Sequence, residues 1–160
     1  MAIQRILVVC TGNICRSPMG EGLLREAIGT DPHLSARGIE VRSAGTHGWE
    51  AAPASALAIE VMRDRGVDIS GHRSQPVVEE LVAWADLILT MTAEQRDWIL
   101  RAFPAADGKV MRLGEYSGTA EDLGDPFGGN PVEYAQCADA LAALVPGVLA
   151  HLRESREESE

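Results

Sequence analysis

The sequence predicts a single α/β domain: a four-stranded parallel sheet with helices on both faces. Three observations carry that expectation. Apolar runs at residues 4–9, 40–44, 86–91 and 109–113 alternate with stretches whose apolar residues recur at helical spacing. The first run, Ile6-Leu7-Val8-Val9, is continuous, as in a strand buried on both faces of a parallel sheet. The octet Cys-Thr-Gly-Asn-Ile-Cys-Arg-Ser, residues 10–17, then leads into Ser17-Pro18, a helix start. A loop at the carboxyl end of a strand, opening a helix, is where such a sheet binds its ligand.

The elements follow in order. Met19, Leu23, Leu24, Ala27 and Ile28 form one face of the first helix, and Gly29 and Pro32 mark its exit. Gly45 breaks the second strand. Pro53 is expected to open a second helix with Ala54, Leu57, Ala58, Val61 and Met62 on one face and Gly66 at its end. Ser74 and Pro76 are expected to begin a short helix ending near Trp84. After the third strand, Thr92 and Gln95 read as a capping box for a helix to about Ala102. Residues 115–130, rich in glycine and acid, read as a loop. Asn130, Pro131 and Glu133 start the last helix, whose apolar face is Tyr134, Cys137, Ala138, Leu141, Val145, Val148 and Leu152. Pro146 inside it predicts a kink or a split. The domain is expected to span residues 1–152, with a charged, fraying tail at 153–160.

The 160 residues suffice for one sizeable core. Hydrophobic residues make up 46% and aromatics only 4%, so aliphatic side chains must fill it. A formal net charge of −10 argues against nucleic acid and anionic membranes as partners. No apolar stretch is expected to reach membrane-spanning length, and the N-terminus lacks a signal-peptide pattern. Three cysteines, two of them five apart in one loop, point to a reducing cytoplasm rather than a disulfide framework.

The octet has the parts of an oxyanion site, a phosphate-binding loop after strand 1. Loop amides of Thr11, Gly12, Asn13, Ile14 and Cys15 would converge with the positive end of the helix dipole. Gly12 and Asn13 are residue types that tolerate the positive φ such a loop requires. Arg16 offers a planar fork for two phosphate oxygens. In such settings a cysteine pKa of about 8.5 falls to roughly 3.5–7.5, which would make Cys10 a thiolate nucleophile at neutral pH. The Ser17 hydroxyl can donate to that sulfur. The alternative is a buried cysteine at a strand end. A Walker loop is excluded, because no Gly-Lys-Ser/Thr follows.

A cysteine nucleophile needs a general acid for its leaving group. Asp125, in Gly124-Asp125-Pro126-Phe127-Gly128-Gly129, is the candidate, with Asp122 its competitor and a solvent-facing turn the alternative reading.

The octet, Pro18, the later Ser43-Ala44-Gly45-Thr46 and Asp125-Pro126 resemble the low-molecular-weight protein-tyrosine-phosphatase family, from about residue 5 to residue 152. The resemblance implies a cytoplasmic enzyme that hydrolyses phosphorylated proteins through a cysteinyl-phosphate, with no metal and no organic cofactor. Cys10, Arg16 and Asp125 would carry the chemistry. Ser43 and His72 would hydrogen-bond Asn13 and hold it in a strained conformation; an ordinary loop histidine is the alternative for His72. Phe127 and Trp49 are the aromatic residues available as substrate walls, with a partly buried surface position the alternative reading for Trp49. No oligomeric state is implied.

Substrate signals conflict. Ile14 resembles the tyrosine-phosphatase branch, where an apolar residue packs on a phenyl ring; the arginine-phosphatase branch has threonine there. The Asp125-Pro126-Phe127-Gly128-Gly129 turn and the region from Glu79 to Thr92 resemble the arginine-phosphatase branch instead, and Thr11 stands where leucine is common. Ile14 should touch the substrate, so phosphotyrosine is the primary expectation and phosphoarginine the alternative. An arsenate reductase would need further cysteines, and residues 80–100 contain none. A phosphate-binding module without catalysis is the non-enzymatic rival. Cys15 could form a reversible disulfide with Cys10, pack beneath the loop, or do both. Cys137 reads as core, and His33, His47 and His151 as surface residues.

Overall fold

The sheet is built on β1 (Arg5–Cys10), in a computed structural model that describes residues 2–48, 50–119 and 121–155. β2 (Glu40–Gly45) lies on one side of β1, β3 (Leu87–Thr90) on the other and β4 (Val110–Arg112) beyond β3, every pair parallel. Helices α1 (Arg16–Thr30), α2 (Ala56–Asp64) and α5 (Pro131–Glu154) cover one face. Helices α3 (Glu79–Trp84) and α4 (Ala93–Ala102) cover the other. This is the α/β architecture expected from the alternating pattern.

The continuous apolar run of β1 is explained by burial on both faces. Ile6 and Val8 pack with Met19, Leu24, Leu141 and Val148, whereas Leu7 and Val9 pack with Leu81, Val82 and Ile99. All four strand residues are fully buried, each worth roughly 1.5–3 kcal/mol of transfer free energy. Register pairs Cys10 with Gly45 and Val9 with Thr90, so the carboxyl ends of three strands meet at one edge. Gly45 is required there: a Cβ would stand 2.5 Å from the Thr11 carbonyl oxygen.

Several local expectations are corrected. α1 begins at Arg16 with Cys15 at its N-cap, so the loop arginine is already helical. α2 begins at Ala56, because Ser55 rather than Pro53 supplies the cap, accepting from the Ala58 amide. Residues 74–78 are not helical. Gly45 N–H donates to the Gln75 carbonyl and Val77 N–H to the Gly45 carbonyl, which lays this segment along the end of β2. Pro146 neither splits nor ends α5. It sits on the exposed side of the helix, away from the packed stripe. The helix also runs through Arg153 and Glu154, past the expected end at 152. Arg153 is anchored to Asp31, and Arg37 reaches the Leu152 and Ser155 carbonyls. Residues 156–160 of the expected tail lie outside the described residues. By length and composition α5 is long and apolar enough to cross a membrane, although no stretch of that kind was expected. In this fold its apolar stripe packs against α1 and α2.

Candidate active site

β1 ends at Cys10, residues 11–15 turn back over it, and α1 begins at Arg16. The Cys10 sulfur is buried at the floor of this turn. The Asn13 amide donates to Cys10 Sγ at 3.2 Å, and Ser17 Oγ lies 3.0 Å from it. Asn13 holds φ +59°, a left-handed conformation that costs a non-glycine residue about 1 kcal/mol or more.

The surroundings over-determine that strain. Gln75 N–H donates to Asn13 Oδ1 at 2.9 Å, which fixes the side-chain amide. Asn13 Nδ2 therefore donates to Ser17 Oγ at 2.7 Å and to Ser43 Oγ at 3.0 Å. Since Ser17 accepts there, its own hydrogen is left for the Cys10 sulfur. His72 Nε2 meets the Asn13 carbonyl oxygen at 2.6 Å, which makes Nε2 the protonated nitrogen. Ser43 and His72 thus both reach Asn13, from β2 and from the segment before residue 74.

Arg16 is only 5% exposed. Its Nη1 donates to the Leu123 carbonyl at 2.9 Å, and its Nη2 lies 3.6 Å from Asp125 Oδ2. Its Nε is buried with no hydrogen-bond partner among the described residues. A buried charged donor without an acceptor is costly, and a phosphoryl oxygen would satisfy it.

The two candidate acids separate cleanly. Asp122 Oδ1 accepts from the Ala93 amide at the N-terminus of α4 and faces Arg112 at 3.7 Å. Asp125 is half exposed and turned toward Arg16, its other oxygen accepting from the Phe127 amide at 3.0 Å. Gly128 at φ +81° and the Gly129 N–H to Pro126 carbonyl bond close the turn. Phe127, 66% exposed, stands on the rim. Trp49 lies outside the described residues.

The two loop cysteines have different settings. Cys15 Sγ lies 3.3 Å from the Tyr134 hydroxyl and 3.6 Å from Ser55 Oγ, beneath the loop. Burial pushes the Cys15 thiol up, against the pull of those two hydroxyls. Burial and the Cys15 contact push Tyr134 up to about 12. Cys10, Cys15 and Cys137 are all free thiols. Cys137 is core, its thiol pushed up to about 12 by burial. Thr11 is exposed and accepts from Gln95 Nε2 at 3.1 Å through its hydroxyl. Gly12 and Ile14 are half-buried, and Ile14 packs against the core while its carbonyl accepts from the Ser55 amide.

The family model for low molecular weight phosphotyrosine protein phosphatases matches residues 5–158. The chain belongs to this family. A probable low molecular weight protein-tyrosine-phosphatase, EpsP of Ralstonia solanacearum, is 42% identical over 146 residues, 91% of this chain and 92% of that protein. A protein-arginine-phosphatase of Geobacillus stearothermophilus is 41% identical over 143 residues, 88% of this chain and 90% of that protein. A solved structure of the YwlE arginine phosphatase, a cysteine-to-serine mutant with a phosphorylated active-site serine, superposes with TM-score 0.86 at 35% identity, covering 96% of this chain and 98% of that one.

In this low-molecular-weight phosphatase, two site residues escape a reading of the motif alone. Gln95 is visible in the sequence as half of a capping box, which the structure contains. Its Oε1 also accepts from the Met91 and Thr92 amides, leaving Nε2 to reach Thr11. His47 is exposed, as expected, and also lines a cleft of about 270 Å³ with Thr11, Arg16, Gln95 and Trp98, its ring 5.7 Å from that of Trp98. No periodicity signals either contact.

Proposed function

We propose that this phosphatase hydrolyses phosphotyrosine in proteins, in the cytoplasm, where a thiol nucleophile stays reduced. The observation that carries the chemistry is the placement of Cys10 Sγ under two donors, with Arg16 and Asp125 across the loop mouth. In the first step the Cys10 sulfur attacks phosphorus. The phosphorus–oxygen bond to the phenol breaks, and Asp125 gives its proton to the departing oxygen. Arg16 and the loop amides stabilise the charge on the equatorial oxygens. In the second step a water attacks the phosphocysteine and gives its proton to Asp125. The sulfur–phosphorus bond breaks, releasing phosphate and the thiolate.

Ile14 supports the phosphotyrosine reading, because an apolar side chain at the loop suits a flat ring. A phosphoarginine reading has its own support in the Asp125–Gly129 turn, which resembles the arginine-phosphatase branch, and in the 41%-identical arginine phosphatase. The deciding experiment compares kcat/KM on matched phosphotyrosine and phosphoarginine peptides in excess chelator. A preference for phosphotyrosine supports the primary reading, and a preference for phosphoarginine replaces it.

A further inference from the structure

One carboxylate outside the assigned site is joined to the nucleophile by an unbroken chain of hydrogen bonds. Ser43 Oγ lies 2.6 Å from Glu21 Oε1 and 3.0 Å from Asn13 Nδ2. A hydroxyl has one hydrogen to give. Asn13 Nδ2 can only donate, because the Gln75 amide has already fixed Oδ1 as the acceptor end. A carboxylate can only accept. Ser43 must therefore donate to Glu21 and accept from Asn13. At the far end, Ser17 accepts from Asn13 and points its hydrogen at Cys10 Sγ. Every hydrogen between Glu21 and the sulfur thus has its direction set by an acceptor at each end.

The backbone builds this arrangement simply. Ser17 and Glu21 are four residues apart on α1 and share one helix face. Ser17 meets Asn13 and the sulfur, and Glu21 meets Ser43 one turn later. Glu21 is itself held, 2.8 Å from Arg25 Nη2, while Arg25 is anchored on the Val41 carbonyl of β2 by two N–H groups. Only 14% of the Glu21 side chain is exposed. It opens onto a groove of about 700 Å³ that is also lined by Arg25, Ser43, His72 and Gln75, behind the loop. Glu21 therefore reaches the loop from behind, through Ser43.

We infer that Glu21 is a positioning residue for Cys10, acting through Ser43 and Asn13 to keep the Asn13 amide and the Ser17 hydroxyl aimed at the sulfur. The inference rests on the reading of Cys10 as the nucleophile. With a glutamine at position 21, the Arg25 Nη2 donor holds the amide oxygen, which turns the amide N–H group toward Ser43. The Ser43 hydrogen then turns toward Asn13 Nδ2, donor against donor. Asn13 loses one of the contacts that hold it at φ +59°, and its backbone amide relaxes away from the sulfur.

The test is the pH profile of Cys10 alkylation by iodoacetamide, mapped by mass spectrometry on the intact chain, with Glu21→Gln, Ser43→Ala and the double variant. Alkylation reads the sulfur itself, so it does not depend on the identity of the substrate. The expected result for Glu21→Gln is a profile displaced to higher pH, with alkylation near pH 6 slower by about threefold to tenfold, the worth of one hydrogen bond. Ser43→Ala should reproduce the displacement, and the double variant should be no worse than Ser43→Ala alone. A wild-type protein that reacts only like a free thiol overturns both the reading of the site and this inference. A wild type that reacts at low pH, with Glu21→Gln superimposed on it, overturns this inference alone. So does a double variant whose effects multiply. Should Glu21→Gln not fold, an undisplaced Ser43→Ala profile overturns it equally.

Discussion

Arg16 Nη2 and Asp125 Oδ2 face each other at 3.6 Å across the mouth of the loop, although they stand 109 positions apart in the chain. The same guanidinium donates from Nη1 to the Leu123 carbonyl, two residues before Asp125. The arginine that would bind phosphate therefore also anchors the segment that carries the acid.

Asp125→Ala should lower kcat on an unactivated aryl phosphate by roughly 10²- to 10⁴-fold, the usual worth of general acid catalysis. The loss should shrink on a substrate whose phenol leaves without protonation. Rapid-quench measurement of the first turnover separates the two steps.

Asp122→Ala should leave that step intact. Its carboxylate serves the α4 N-terminus and faces Arg112, so its removal should cost about 1 kcal/mol of stability, as for a lost helix cap. Chemical denaturation beside kcat for both aspartate variants checks the division of roles.

Arg16→Lys should reduce kcat/KM by about 10²- to 10³-fold, the range for loss of an oxyanion donor. A lysine keeps the charge but cannot fork between two phosphoryl oxygens or hold Leu123 at the same time. Phosphate inhibition constants and single-turnover rates should both worsen.

Ile14→Thr should move the ratio of kcat/KM for phosphotyrosine over phosphoarginine toward phosphoarginine by about tenfold, the scale of one apolar contact in a pocket. Matched peptides measured under one condition give the ratio directly.

The Arg153 guanidinium, with the His33 and Leu34 amides, holds the Asp31 carboxyl below the usual carboxylate range despite its burial. A depressed carboxyl contributes stability that is fully present above its unfolded pKa and is lost as pH falls through its folded one. Asp31→Asn should therefore lower Tm at pH 7, and the difference from wild type should fade only in acid, below the usual carboxylate range. Thermal melts across pH check the sign.

How much of this was legible follows from range along the chain. The octet, the buried run of β1 and the two capping boxes, Thr92 with Gln95 and Asn130 with Glu133, are local patterns, and the structure contains them. Asn13 at positive φ follows from its residue type in a tight loop. What stayed hidden depends on distant partners. Residues 74–78 look like a helix start until the end of β2 offers them hydrogen bonds. Gln95 reaches Thr11 across 84 residues, and Ser43 reaches Glu21 across 22. The proline after Asp125 already favours it over Asp122 in the sequence, and the fold turns Asp125 to Arg16 and Asp122 to α4.

The central claim is that Cys10 takes the phosphoryl group. Rapid acid quench of Asp125→Ala with a ³²P-labelled aryl phosphate, followed by peptide mapping, tests it most directly. The account predicts label on the peptide that carries Cys10 and none in Cys10→Ser, which should also lose turnover. Label elsewhere, or full turnover by Cys10→Ser, would contradict it.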